Sequence, residues 1–169
     1  MSQTKKQKSA QDVLDDFYGK GNIIIPVDVV GIAERHDIQV TKAMFNPPYN
    51  ESVFGYIQKT GSKTKIVVNA ENALNRRRFT VGHELGHYFQ HDGADLKYLD
   101  LRSTKTTSEE AKANEFAADL LMPEAELKRE YSKLMFPTAA QLARTFAVSE
   151  EAMRIRLKKL KLQFIGETH

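Results

Sequence analysis

The sequence predicts an α+β fold, a small β-sheet packed on a long helix, and three observations carry that reading. The segments "IQV", "VFGYIQ" and "KIVVN" are rich in β-branched and aromatic residues and succeed one another in the first half of the chain. Apolar residues recur at helical spacing before and after them. The stretch "NALNRRRFTVGHELGHYFQH" is long, free of proline, and bears Leu74, Phe79, Leu85, Tyr88 and Phe89. With 169 residues there is enough chain for one compact domain with a sizeable core.

The elements follow in order. The polar, basic start "MSQTKKQKSAQ" reads as a frayed tail over residues 1–10. Val13, Leu14, Phe17 and Tyr18 mark a first helix, closed by Gly19 and Gly21. "PVDVVGIAERHD" reads as a second, with Pro26 at its start and Val27, Val30, Ile32 and Ala33 turned inward. Of the strands, the first two are separated by the loop "FNPPYNES" and the last two are joined by the turn "KTGSKT". Gly82 and Gly86 each weaken the long helix by about 1 kcal/mol relative to alanine, and glycine inside a helix marks close approach of another backbone. The long connection "DGADLKYLDLRSTKTTS" leads to a helix "SEEAKANEFAADLL" that ends at Met122-Pro123. "EAELKREYSKLM" then runs to Pro137. The expected organisation is one domain over residues 11–136 with a helical segment over 137–165 packed on it.

Composition narrows the function. The balance of 25 Lys and Arg against 22 Asp and Glu gives +3, which tolerates an anionic partner without requiring one. There is no cysteine, so any metal must be held by histidine and carboxylate, as suits a reducing cytosol. The longest apolar run, "IIIPVDVV", is broken by Pro26 and Asp28. A cytoplasmic protein is expected, with no membrane partner and no nucleotide cofactor.

Chemistry concentrates in "FTVGHELGHYFQHD". His83 and His87 are one turn apart on a helix, so both imidazoles can point at one ion. Glu84, rotated around the helix, can meet a water bound there and act as general base. A catalytic site needs a third donor and an open position; the candidates are Glu109, Glu110, Glu115, Asp119 and His91. Three histidines in successive turns of a straight helix cannot converge on one ion, so His91 is read as facing substrate or supporting a ligand. Glu110 is the choice among the acids, because it shares a face with Asn114, Ala117 and Leu121; Glu115 is the runner-up. Asn114 could bond His83 or His87 and fix its tautomer. The competing reading is a capping box, Thr107-x-x-Glu110, that engages Glu110 with backbone.

"RRRFTVGHELGHYFQH" followed by "EEAKANEFAADLLMP" resembles the ImmA/IrrE family of zinc-dependent metalloendopeptidases, over roughly residues 25–162. The resemblance implies a gluzincin-like site with one zinc ion, or another divalent ion in its place. It places His83, His87 and Glu110 as ligands and Glu84 as the catalytic acid–base. Lys112 stands where many relatives carry an acidic or amide residue. Family members cleave helix-turn-helix repressors encoded beside them, releasing prophage, conjugative-element or stress genes, so a repressor is the implied protein substrate. An extended substrate is expected along an exposed strand edge, with His91 or Tyr88 steadying the oxyanion.

"AAQLARTFAVSEEAMRIRLKKL" has helix-turn-helix spacing, with Leu142, Ala143 and Phe146 facing one way and Val148 closing the turn. Ala152, Met153, Ile155, Leu157 and Leu160 line the second helix. Arg154 and Arg156 are the candidate phosphate contacts, should this segment read DNA; packing is the favoured role, since one small motif is a weak DNA signal. Arg76-Arg77-Arg78 reads as a structural or solvated cluster. The alternative to a peptidase is a DNA-binding or repressor-binding regulator with a structural metal.

Overall fold

The computed structural model describes residues 7–48, 53–90 and 107–166. Helices α1 (Ala10–Tyr18) and α2 (Val29–Arg35) precede strands β1 (Ile38–Ala43), β2 (Gly55–Thr60) and β3 (Lys63–Asn69). Five helices follow: α3 (Leu74–Gln90), α4 (Thr107–Leu121), α5 (Glu124–Ser132), α6 (Ala139–Phe146) and α7 (Glu150–Lys159). The fold is α+β. Among the described residues, no helix is long and apolar enough to cross a membrane.

The sheet order is β1-β3-β2, with β3 parallel to β1 and antiparallel to β2. Ile38, Ile57, Ile66 and Val68 join Val81, Leu85 and Phe89 in one buried core. The three α3 residues recur every fourth position, which is the apolar stripe of a helix laid on a sheet. Where β2 starts is set by Asn69, which is fully buried. Its Nδ2 donates to the Val53 carbonyl at 3.2 Å and its Oδ1 accepts from Glu71 N at 3.0 Å. The strand ends are therefore latched before the turn into α3.

Local chemistry fixes the helix ends. Ser9 and Asp12 form a reciprocal capping box for α1, and Gly19 closes it at φ 84°. The second helix begins later than Pro26 suggested. Asp28 caps it, accepting from Gly31 N–H at 2.9 Å, so Val29 is buried and Val30 is 39% exposed. Gln7 and Lys8, within the stretch expected to fray, bond the Gln90 and Phe89 carbonyls at the end of α3.

The α6–α7 pair is clamped to the helices beneath it. Arg78 donates to the Val27 carbonyl (2.8 Å) and the Ala147 carbonyl (3.1 Å), and Asn75 donates to Val148 O (3.1 Å). At the other end of the pair, Arg156 donates to the Met122 carbonyl at 3.1 Å and pairs with Asp119 at 2.6 Å. Lys159 pairs with Glu115. Two expectations change here. Ile155 does not line the core but is 63% exposed, and Arg156 is 4% exposed in its stead. A buried guanidinium is tolerated because a carboxylate and a carbonyl satisfy it.

Candidate metal centre

At 100° per residue, the rows of α3 come in a fixed order. Val81, Leu85 and Phe89 face the sheet core. Next round the helix come Gly82 and Gly86, against α4. A Cβ on Gly86 would lie 3.0 Å from Ala113 Cα and 3.1 Å from Ala113 O; one on Gly82 would lie 3.3 Å from Ala117 Cβ. The absent side chains let α4 approach closely enough to deliver a ligand. The third row holds His83 and His87, and the fourth holds Thr80, Glu84 and Tyr88.

That fourth row faces β2: a Cβ on Gly55 would sit 2.6 Å from Thr80 Cγ2, and the charge of Lys59 reaches Tyr88. From the adjoining histidine row the Arg76 guanidinium reaches across to the Phe54 ring, 4.5 Å from its centroid. Residues 54 to 59 thus run alongside residues 76 to 88. The two spans agree in length, about 17 Å at strand rise and about 18 Å at helix rise. The histidine row opens between α4 and the β2 edge, a strand with one unpaired side among the described residues.

In that opening three donors converge. Glu110 Oε2 lies 3.1 Å from His83 Nε2, Glu110 Oε1 lies 3.2 Å from His87 Nε2, and the two Nε2 atoms are 3.1 Å apart. Donors held roughly 2.0–2.1 Å from a tetrahedral ion stand about 3.3–3.4 Å from one another. The spacing fits an ion at their centre, and His83, His87 and Glu110 form a cluster that could hold one. The carboxylate of Glu110 turns to the imidazoles. Glu115 points away to Lys159, which holds its carboxyl below the ordinary range, and Asp119 goes to Arg156.

Asn114 Oδ1 is 2.8 Å from His83 Nδ1. The amide oxygen accepts from Nδ1–H, which leaves Nε2 of the neutral ring as the lone-pair donor toward the cluster. Replacing Asn114 by alanine is expected to weaken metal affinity roughly 10- to 100-fold with little change in fold; competition with a chromogenic chelator measures it, and an unaltered affinity refutes the orienting role.

Glu84 is 4% exposed, on the row between the histidines and β2. Tyr88, one turn on, is half-buried beside His36, with ring centroids 6.4 Å apart. Burial raises its pKa, with Asp37 adding to the effect and the charges of Lys59 and Lys8 opposing it. His91 lies outside the described residues. Of the two arginines considered for DNA, Arg154 is tied to Glu150 (2.5 Å) and the Gly166 carbonyl (3.1 Å), and Arg156 is the buried clamp. The triple-arginine run hid three different roles: Arg77 donates to the Ala70 carbonyl, Arg78 clamps the α6–α7 turn, and Arg76 is exposed on Phe54.

A family model described as Peptidase_M78, IrrE N-terminal-like domain, matches residues 33–158. Among solved structures, a Mycobacterium tuberculosis transcriptional regulator shares the fold, with a TM-score of 0.58 at 19% identity. The match covers 88% of this chain and 51% of that one, so the chain spans about half that neighbour's length. No curated protein matches the sequence.

Proposed function

The chain belongs to the Peptidase_M78 family of IrrE N-terminal-like domains, and from that premise we propose that it is a zinc-dependent endopeptidase acting on a helix-turn-helix transcriptional repressor. The observation that carries the reading is the convergence of His83, His87 and Glu110 beside a buried Glu84. Two imidazoles and one carboxylate are a donor set suited to zinc with one position open. An ion held there polarises a carbonyl and makes water more acidic.

The remaining work falls to the chain. The side of β2 that is unpaired among the described residues offers backbone N–H and C=O groups to an extended peptide, which lays it along the histidine row. Glu84 takes a proton from the attacking water as its oxygen bonds the scissile carbonyl carbon. The same carboxyl then gives that proton to the departing amine nitrogen as the C–N bond breaks. Tyr88 and His91 are the residues proposed to steady the oxyanion.

DNA reading is not part of the proposal. A recognition helix meets bases with its first turn, and α7 begins with Glu150 and Glu151, both exposed. These carboxylates repel phosphate. The shared fold with a transcriptional regulator is in keeping with a target in gene control, and α6–α7 serves as packing.

Co-expression with the product of a neighbouring repressor gene tests the reading. A shortened repressor fragment is expected, absent from chelator-treated extracts of the purified pair. An intact repressor, mixed with metal-loaded chain, counts against the assigned target.

A further inference from the structure

Arg76 sits on the histidine row of α3, seven residues before His83, which is about 10 Å along the helix. It is exposed, and among the described residues its guanidinium meets no carboxylate and no carbonyl; its partner is the Phe54 ring, 4.5 Å from the guanidinium carbon. Stacking fixes the plane of an arginine while leaving its N–H edge open for a bidentate acceptor. The neighbouring arginines are committed elsewhere, Arg77 to Ala70 O and Arg78 to Val27 O and Ala147 O. The start of α3 adds its partial positive charge to the same spot.

Phe54 immediately precedes β2, whose residues run alongside α3 toward the metal cluster. A peptide paired with the β2 edge advances about 3.3 Å per residue. Ten ångströms is therefore about three residues from the bond that lies at His83 and Glu84. We propose that Arg76, held over the Phe54 ring, is a specificity residue that binds an aspartate or glutamate side chain of the substrate about three residues from the scissile bond, on the side toward the start of β2. The inference rests on the peptidase reading above and adds a sequence preference to it.

A synthetic randomised decapeptide library, digested by zinc-loaded wild type, Arg76→Ala and Arg76→Glu and read by mass spectrometry, tests it. In wild type, acidic residues are enriched over their amides about three positions from the cut. In Arg76→Ala that ratio falls roughly tenfold, the size of a charge-assisted pair partly screened by water. In Arg76→Glu the preference turns to lysine and arginine. Cuts without acidic enrichment in wild type, or the same enrichment in both variants, remove the role of Arg76 and leave the peptidase reading standing. Metal-loaded wild type that cuts no peptide removes both.

Discussion

Replacing Glu84 by glutamine is expected to leave a folded chain with its metal bound and to lower peptide cleavage by about 10²–10⁴-fold. The amide has nearly the shape of the carboxylate, so the packing around a side chain only 4% exposed is retained. What it lacks is a basic oxygen to take the water's proton and a proton to return to the amine. His83, His87 and Glu110 are untouched, which is why metal content and activity should separate. A structural metal in a regulator has no need of Glu84, so the variant distinguishes the two readings. Fragment yield and zinc content, measured on the same preparation, check it. Full activity in the variant excludes Glu84 as the proton carrier.

Gly86→Ala should be destabilising and should also loosen the metal. Alanine gains about 1 kcal/mol in helix propensity over glycine, and this works against the expected loss. At position 86 the new methyl would meet Ala113 Cα at 3.0 Å, Ala113 O at 3.1 Å and Phe116 Cβ at 3.2 Å. Two of these atoms are backbone and can yield only if α4 moves off α3. Overpacking of this kind costs roughly 1–3 kcal/mol, so a net loss of up to about 2 kcal/mol is expected after the propensity gain. Glu110 is three residues from Ala113, less than one turn, so the same displacement pulls the carboxylate from the imidazoles. At Gly82 the closest approach is 3.3 Å, to the Ala117 methyl. There the overlap and the propensity gain come close to cancelling. Thermal unfolding and chelator competition on the two variants should therefore rank Gly86→Ala well below Gly82→Ala. Equal stability and equal metal affinity at both positions would mean that the close approach of α4 is not needed.

Local periodicity made most of the fold legible. The spacing of Val13, Leu14, Phe17 and Tyr18, the strand triplet, and the glycines of α3 are properties of neighbouring residues, and short-range sterics govern them. The helix-pair geometry at His83 and His87 is of the same kind. Less legible was whatever depends on a partner far away in sequence. Arg156 reads as a candidate phosphate contact on a basic helix until Asp119 of α4 and the Met122 carbonyl just after it close on it. Ile155 changes places with it for the same reason, because which side of α7 meets α4 is a tertiary fact. At α2 a local signal was misread: Pro26 suits a first turn, but the Asp28 side chain outcompetes it by satisfying Gly31 N–H. For Glu110, either the capping-box reading or the ligand reading fits the sequence; the approach of α4 to α3, permitted at Gly86, puts both its oxygens within 3.2 Å of the imidazoles.

Metal content is the most direct test of the central claim, that one divalent ion is held between α3 and α4. After zinc loading and exhaustive dialysis, elemental analysis of the wild-type chain should give about one ion per chain, and His87→Ala and Glu110→Gln should each hold far less. A wild type without zinc, or variants that retain as much as wild type, would contradict it.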